Sequence, residues 1–283
     1  MADLAEQAAQ LKALAFQDPL TGLANRKLFN DQLSEAIRGE SSTAVDVLLL
    51  DLDDFKEVND ILGHHAGDQM LIEVARRLRS CVRPADTVAR LGGDEFVVLL
   101  TGSTEADTVA ERIVESLNEP VWMDGTMLRP SLSLGLASIS QDAVGASELL
   151  RRADVAMYAA KAAGKNRYMR FQPEMMAALV QRTDMEAGLQ LAVDRGHITV
   201  HFQPIISPRL GEVVQLEALA RWERDGEMIP PAQFIPTAER SGLISAIGTQ
   251  VMTASFMQLR STAPRTQRQP LRPQHDSGNC PPL

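Results

Sequence analysis

The 283-residue chain has only two cysteines, Cys81 and Cys280, which is too few for a disulfide framework or a zinc site made of cysteines. This scarcity favours a reducing cytoplasm as the compartment. The chain also lacks an excess of positive charge, because 28 Lys and Arg residues and 37 Asp and Glu residues give a net charge of −9. Proteins that bind duplex nucleic acid usually present a basic face. We therefore expect no nucleic-acid partner, although a few local cations could still hold a small phosphate ligand.

Long apolar runs are absent as well. The strongest runs, residues 47–50 and 96–100, are far too short to span a bilayer. The first ten residues lack the basic-then-apolar order of a signal peptide, so we expect a soluble chain with no membrane segment. Apolar side chains are nevertheless plentiful at 45% of the residues, which is enough for a hydrophobic core and argues against disorder over the chain as a whole.

The periodicity of apolar residues predicts one α/β domain over residues 12–171, with a central, mostly antiparallel sheet flanked by helices. The predicted helices cover residues 25–37, 66–78, 109–117 and 149–160. The predicted strands cover residues 45–50, 87–91, 95–101 and 131–139. The second and third of these strands form a hairpin with glycines at its tip.

The regions on either side of this domain have different patterns. Residues 1–17 follow the a/d spacing of a short coiled coil, or of a surface helix packed on its own domain. From Pro173 a second region begins, with a predicted helix over 181–195, strands over 198–206 and 213–222, and a helix start within 230–242. Residues 261–283 contain many prolines and no apolar periodicity, so we predict a disordered tail.

Acidic side chains follow the predicted strand 45–50. Asp51 and Asp53 share one face of an extended strand, and carboxylates clustered at a strand end are oxygen ligands suited to Mg²⁺. The same residues would also suit the N-terminus of a helix, where the helix dipole favours negative charge.

A second acidic pair, Asp94 and Glu95, follows Gly92 and Gly93. Two glycines allow the backbone to approach a bulky ligand, but they are equally typical of an ordinary hairpin turn. Since both acidic segments should lie on neighbouring strands, together they indicate a two-metal site.

Polar and basic residues on the following segments complete a candidate nucleotide site. Asn59, His64 and Asp68 come after the first acids, and an aspartate can accept two parallel N–H bonds from guanine but not from adenine. Their alternative role is that of solvated polar residues in a loop. Lys161 and Lys165 lie near the end of the last predicted helix, where cations are also common for electrostatic reasons alone.

These motifs, in this order, resemble the GGDEF-type diguanylate cyclases over about 160 residues. The matching segments are DPLTGLANR at 18–26, DLDDFK at 51–56, Asn59-Asp60, Gly63-His64, Gly67-Asp68, RLGGDEF at 90–96, and Ala153-Asp154 through Tyr158 to Lys161 and Gly164-Lys165-Asn166. The resemblance implies a nucleotidyl-cyclase-like palm domain over residues 18–171, with residues 1–17 as an N-terminal helix or linker.

The resemblance also implies a mechanism and a role for each site residue. Two domains, each with one GTP, meet as a homodimer, and each 3′-hydroxyl attacks the α-phosphate of the other GTP to give cyclic di-GMP and two pyrophosphates. Mg²⁺ or Mn²⁺ is held by Asp51, the Leu52 carbonyl and Asp94. Asp94 helps to deprotonate the 3′-hydroxyl, and Glu95 contacts metal or ribose. Backbone N–H groups of residues 54–56 bind the β- and γ-phosphates, and Lys161 and Lys165 bind the terminal phosphates. Lys56 neutralises charge in the transition state. Asn59, His64 and Asp68 bind guanine and ribose, and Gly92 and Gly93 admit the substrate.

Arg83 and Asp86 precede the glycine pair, with five residues between Asp86 and Gly92, a spacing similar to the family's inhibitory product site. The resemblance implies that cyclic di-GMP binds there and inhibits the enzyme. The alternative is a surface turn with a local ion pair, which contributes little to stability. Asp54 is acidic where the family often has another residue type, so we expect its side chain to face solvent.

Residues 182–260 resemble the start of an EAL-type cyclic di-GMP phosphodiesterase. The matching segments are HFQP at 201–204, EALARW at 217–222, and PPAQFIP at 230–236 followed by AERSG at 238–242. The resemblance implies that Glu217 is a vestigial metal ligand and Arg221 a vestigial phosphate contact in an incomplete TIM-type barrel. Such barrels need about 200 residues or more, so we expect no phosphodiesterase activity.

Three functions remain open from the sequence. The first is an active diguanylate cyclase. The second is a catalytically weak module that binds GTP or cyclic di-GMP as a sensor. The third is a truncated bifunctional protein that misfolds in cells. The complete set of acids, glycines and guanine-binding candidates favours the first over the second.

Overall fold

In the computed structural model the described residues are 15–39, 44–102, 105–123, 125–139 and 145–262. The chain divides into two compact units, with the boundary between Val180 and Gln181. The predicted helix over 1–17 lies outside the described residues except for its last three. The predicted tail over 261–283 also lies outside them except for 261 and 262, which end a helix.

The first unit contains the predicted α/β domain. Its strands are β1 (Ala24–Asn25), β2 (Val45–Leu52), β3 (Thr87–Gly92), β4 (Glu95–Thr101), β5 (Val121–Met123), β6 (Thr126–Leu128), β7 (Leu132–Ser138) and β8 (Arg167–Arg170). Its helices are α1 (Arg26–Arg38), α2 (Phe55–Leu62), α3 (His64–Ser80), α4 (Ala106–Asn118) and α5 (Ala146–Ala162).

Six of these strands form one sheet in the order β1-β3-β4-β2-β7-β8. The three inner pairs are antiparallel, and the two outer pairs are parallel. The prediction of a mostly antiparallel sheet flanked by helices is therefore confirmed. Strand β2 lies between β4 and β7, which explains why its sequence is almost continuously apolar.

Alternate residues of β2 enter separate cores on the two faces of this sheet. Leu48 and Leu50 pack with residues of α3 and α4, whereas Val47 and Leu49 pack with residues of α1 and α5. Helix α5 lies so close to β7 that a methyl group on Gly135 would overlap main-chain atoms of Ala153 and Met157.

The second unit has a small sheet of its own. Helix α6 (Pro173–Asp194) leads into β9 (Ile198–Ile206), β10 (Val213–Arg224) and β11 (Glu227–Ile229), which are followed by α7 (Pro231–Arg240) and α8 (Ile244–Thr262). The strands pair antiparallel in the order β11-β10-β9. Trp222 and Phe234 are fully buried at its core, with an edge-to-face contact at 5.9 Å between ring centroids.

The incomplete TIM-type barrel stays a prediction. The sheet in the described part of this unit has three antiparallel strands, whereas a TIM barrel is built from parallel strands. The boundary of one helix also differs from the sequence-based expectation. Helix α6 begins at Pro173 and not near residue 181, because proline is well tolerated in the first turn of a helix. Among the described residues, no helix combines the length and the apolar character needed to cross a membrane.

Candidate active site

The end of the central strand β2 places Asp51 between two neighbours. Asp51 is in register with Glu95 on β4 and with Ser133 on β7. Because strands enclose it on both sides, the side chain of Asp51 is only 17% exposed. The ammonium Nζ of Lys161, near the end of α5, lies 2.7 Å from Oδ1 of Asp51. The two residues are 110 positions apart in the sequence, and the fold brings them into contact.

Burial raises the pKa of the Asp51 carboxyl group, and the negative charges of Asp94 and Asp53 raise it further. The hydrogen bond and the charge of Lys161 act in the opposite direction. The strand end therefore concentrates negative charge in a partly buried place, which favours the binding of an additional cation.

The turn between β3 and β4 carries the second group of acids. Gly92 and Gly93 have φ angles of 142° and 55°, a region that glycine adopts without steric cost. The guanidinium of Arg90 donates to the carbonyl oxygen of Gly93 at 2.9 and 2.7 Å, and also to the Asp18 carboxylate at 3.2 and 3.3 Å. Arg90 therefore fixes this turn to the segment that precedes β1. Arg90 and Asp18 both lie in the motifs quoted above, but the sequence alone predicted no role for either of them.

Helix α2 begins directly after the acids of β2. Its N-cap residue, Asp54, has φ of 58°, and no side chain among the described residues caps the helix at this position. Backbone N–H groups at such a terminus can bind phosphate. Asp54 is exposed, as expected, and its carboxylate accepts a hydrogen bond from Lys165 Nζ at 2.6 Å. Lys161 and Lys165, both predicted to bind the terminal phosphates, thus lie beside the two ends of the Asp51–Asp54 segment.

The guanine-binding candidates lie on two consecutive helices, and not in a loop. Asn59 is on α2, and His64 and Asp68 are in the first two turns of α3. His64 and Asp68 are exposed, whereas Asn59 is half-buried against Gly67. Lys56, in the first turn of α2, is exposed.

The predicted donor set for a metal ion consists of two carboxylates, those of Asp51 and Asp94, and the Leu52 carbonyl oxygen. The described ranges contain no cluster of three or more His, Cys, Asp or Glu side chains that could hold a metal ion. However, the N–H of Leu52 lies 3.4 Å from the carbonyl oxygen of Asp94, so the segments that carry Asp51, Leu52 and Asp94 are in contact. Hard oxygen atoms of this kind fit Mg²⁺, which commonly uses one or two protein carboxylates. The Oε2 atom of Glu95 lies 3.7 Å from the Nη2 atom of Arg26.

Comparison with known proteins now adds to this geometry. Residues 15–167 match the family "Diguanylate cyclase, GGDEF domain". The chain belongs to this family. Residues 186–276 match the EAL domain family, so a GGDEF domain is followed by EAL sequence.

One curated relative is the bifunctional diguanylate cyclase/cyclic di-GMP phosphodiesterase MucR of Pseudomonas aeruginosa, which is 41% identical over 262 residues. The alignment covers 91% of this chain and 38% of MucR. The chain therefore spans less than half the length of that relative.

Two solved structures resemble the GGDEF domain. The GGDEF domain of PA1120 (TpbB or YfiN) from Pseudomonas aeruginosa is 40% identical, with a TM-score of 0.55, and the match covers 58% of this chain and 98% of that one. The coiled coil and GGDEF domain of DgcB from Caulobacter crescentus, in complex with c-di-GMP, is 31% identical with a TM-score of 0.55. That match covers 60% of this chain and 92% of the solved DgcB chain.

A separate cavity of the GGDEF domain, of about 470 Å³, contains the predicted product-binding pair. The backbone N–H of Arg83 donates to the Asp86 carboxylate at 3.0 Å, and the backbone N–H of Asp86 donates to the Arg83 carbonyl at 3.0 Å. These bonds form a tight turn that leaves the Arg83 side chain exposed. Arg79, Gln32 and Thr87 also line this cavity.

The predicted residues of the EAL sequence lie on one face of β10. Glu217 and Arg221 are separated by an even number of strand positions and therefore point to the same side. Glu217 is exposed and in register with Gln203 of β9, while Arg221 is half-buried and in register with Thr199.

Proposed function

We propose that this GGDEF domain is an active diguanylate cyclase that converts two GTP molecules into cyclic di-GMP and two pyrophosphates. The observation that carries the proposal is the meeting of Asp51, the Asp94 turn and Lys161 at one end of the sheet. Acids and lysines in contact are what a triphosphate with its divalent cation requires, and the domain's family supports the same chemistry.

Asp51, the Leu52 carbonyl and Asp94 would hold Mg²⁺ or Mn²⁺ beside the triphosphate. When bound, such a cation neutralises phosphate charge and favours loss of a proton from a nearby hydroxyl. These roles require the Asp51 carboxylate to be ionised, which Lys161 supports in the structure at 2.7 Å.

The phosphate contacts would come from the N-terminus of α2, Lys56, Lys161 and Lys165. Both Lys161 and Lys165 donate to carboxylates in the structure. A triphosphate carries more negative charge than either carboxylate, so the two ammonium groups would turn to its oxygen atoms when GTP binds. Lys56 would then stabilise the charge that develops as pyrophosphate leaves.

Asn59, His64 and Asp68 would orient guanine and ribose, and Gly92 and Gly93 would let the substrate approach the backbone. Asp94 would accept the proton of the 3′-hydroxyl, with Glu95 as a further contact to metal or ribose. The 3′-oxygen forms a bond to the α-phosphorus of the GTP on the partner domain, and the bond to pyrophosphate breaks. Because each GTP supplies both a nucleophile and a target, the reaction requires a homodimer.

The test is product formation from GTP and Mg²⁺ by the purified chain, with Asp94→Ala as the control for contaminating activity. We expect cyclic di-GMP from the parent and a loss of at least about a hundredfold in the variant, the scale of removing one general base. If the parent forms no cyclic di-GMP at micromolar protein concentration, the proposal of cyclase activity is wrong.

The cavity beside Arg83 and Asp86 supports product inhibition as the regulation of this enzyme. Arginine can donate two parallel hydrogen bonds to a planar acceptor edge and stack on a base. We expect the Arg83→Ala variant to escape inhibition by added cyclic di-GMP while its initial rate is retained. Equal inhibition of parent and variant would contradict a role of Arg83 in product inhibition.

A second candidate function is a binding module for cyclic di-GMP or GTP with little catalysis, which the same cavity also favours. Binding of cyclic di-GMP without turnover of GTP would distinguish it from the cyclase. For the EAL sequence we retain the prediction of no phosphodiesterase activity, and hydrolysis of cyclic di-GMP by the purified chain would overturn it.

A further inference from the structure

We propose that Asp53 is a positioning residue, which fixes the turn after α5 and thereby places Lys165 for contact with the terminal phosphates of GTP. This inference rests on the proposed function of Lys165. It assigns Asp53 a role different from that of Asp51, although the two are only two positions apart, Asp51 on β2 and Asp53 directly after it.

Both carboxylate oxygens of Asp53 accept hydrogen bonds from the protein. Oδ1 accepts from Oγ of Ser133 at 2.8 Å, and Oδ2 accepts from the backbone N–H of Asn166 at 3.0 Å. The backbone N–H of Asp53 donates to the carbonyl of Ser131 at 2.9 Å. Ser133 is fully buried on β7, so the first of these bonds anchors Asp53 to the interior of the sheet.

The turn that Asp53 holds has an unfavourable backbone conformation. Gly164, Lys165 and Asn166 have φ angles of 111°, 60° and 49°. Positive φ costs little for glycine but is disfavoured for other residues, so two consecutive side-chain-bearing residues in this region need external support. The N–H of Lys165 donates to the Ala160 carbonyl at 3.1 Å, and the N–H of Asn166 donates to Asp53.

This support determines where the Lys165 ammonium group lies. Lys165 extends from the turn to Asp54, which also has a positive φ and begins α2. Asp53 and Asp54 therefore contact adjacent residues of the same turn, one through the Asn166 backbone and one through the Lys165 side chain. Without the bond to Asp53, the turn can relax toward more common φ values, and Lys165 would leave the N-terminus of α2.

The first experiment needs no ligand and measures hydrogen exchange of the Asn166 amide by NMR in the full chain. We expect exchange to be at least about tenfold faster in Asp53→Ala, the effect of losing one charge-assisted bond. Asp53→Asn should stay within about threefold of the parent, because its amide oxygen can accept from Asn166 while its NH₂ donates to Ser133. Lys165→Ala is the matched control and should leave this amide protected. Unchanged exchange in Asp53→Ala overturns the proposal.

The second experiment measures binding of a GTP analogue with a methylene bridge between the α- and β-phosphorus atoms, by calorimetry with Mg²⁺. We expect Asp53→Ala to weaken binding about tenfold. In a Lys165→Ala background the same change should have less than a twofold further effect, because Asp53 acts through Lys165. Full additivity of the two losses would overturn the proposal.

Rescue by asparagine separates positioning from metal ligation. If Asp53 were a metal ligand, Asp53→Asn would lose affinity as severely as Asp53→Ala, and both would need more Mg²⁺ for half-maximal binding. Failure of the parent to bind the analogue would count against the proposed function alone, since the exchange measurement still tests the role of Asp53.

Discussion

Gly67 lies against the side chain of Asn59, and a methyl group at position 67 would overlap the amide oxygen of Asn59. The obstacle is the mobile end of a side chain, so Asn59 can rotate away without unfolding the protein. We expect Gly67→Ala to raise KM for GTP about fivefold to tenfold, because a hydrogen bond to the nucleotide is lost. Steady-state kinetics measures KM, and a thermal melting curve shows that the variant stays folded.

The control for this variant is Gly39→Ala. A methyl group at position 39 would meet its nearest atoms at 3.6 and 3.8 Å, an ordinary contact distance. Its KM should equal that of the parent. If Gly67→Ala leaves KM unchanged, Asn59 does not contribute to nucleotide binding.

Glu73 on α3 links the stability of the domain to acid pH. Hydrogen bonds from Arg76 and Arg77 lower its pKa to about 2 from an ordinary value of 4.5, in spite of partial burial. Since the pKa is lower in the folded state, this stabilisation is complete above pH 4.5 and is lost as the pH falls toward 2. We expect the free energy of unfolding of Glu73→Gln to fall less steeply than that of the parent between pH 5 and pH 2.5, measured by urea titration. Glu115→Gln, an exposed change on α4, should keep the slope of the parent.

The sequence predicted Asp51 and Asp94 as neighbours because both follow strand patterns that could pair. It did not predict the bonds of Asp53 or Arg90. These connect residues 80, 113 and 72 positions apart, and no local pattern specifies which donor a carboxylate will meet at such a distance.

At the scale of helices and strands, Arg77 joins α3 to the end of α4. Its guanidinium donates to Glu73 at 2.7 Å and to the carbonyls of Ser116 and Glu119 at 2.8 and 2.7 Å. Arg77 is only 6% exposed. We expect Arg77→Lys to reduce the free energy of unfolding by about 2–3 kcal/mol, because one ammonium group cannot satisfy these acceptors together. Arg76→Lys is the matched control, since Arg76 pairs with the same glutamate on the surface. It should leave the free energy of unfolding close to that of the parent in the same urea titration, because exposed ion pairs contribute little. An equal loss in both variants would contradict the role of the buried bonds.

Periodicity predicted the long elements well, because β2, α3 and α5 each bury a regular set of apolar residues. It missed β1, β8 and the β5–β6 hairpin, and it gave no apolar pattern for α2, although the acids at 51–54 also suited a helix start. Helix α2 has only eight residues and none that is fully buried. Strand β8 reads RYMR, with no apolar alternation, and forms through parallel pairing with β7. Short elements of this kind depend on the sheet they join, which local sequence does not encode.

At the scale of the whole molecule, the proposed reaction requires two GGDEF domains to meet. We expect the rate per enzyme molecule to rise with protein concentration until dimers are saturated. A discontinuous assay of cyclic di-GMP over a concentration series measures this dependence. Addition of excess Asp94→Ala chain should lower the rate by forming mixed pairs. A rate strictly proportional to enzyme at nanomolar concentration, unaffected by that chain, would contradict weak pairing.

The family and the order of its two sequence regions were predictable because five motifs occur in the right order, and the matches over 15–167 and 186–276 confirm them. The division between residues 180 and 181 falls between the two predicted regions, 18–171 and 182–260. Helix α6 runs through this division without interruption.

The contact of Gly135 with α5 helps to fix the helix that carries Lys161, one of the proposed phosphate-binding residues. One contact point is Ala153, and Lys161 lies eight residues farther along α5, a distance of about 12 Å at 1.5 Å per residue. If α5 tilted by about 5° about Ala153, Lys161 would shift by about 1 Å. A displacement of that size can reduce an enzyme's rate about a hundredfold. A glycine of the sheet therefore helps to determine the position of an ammonium group more than two helical turns away.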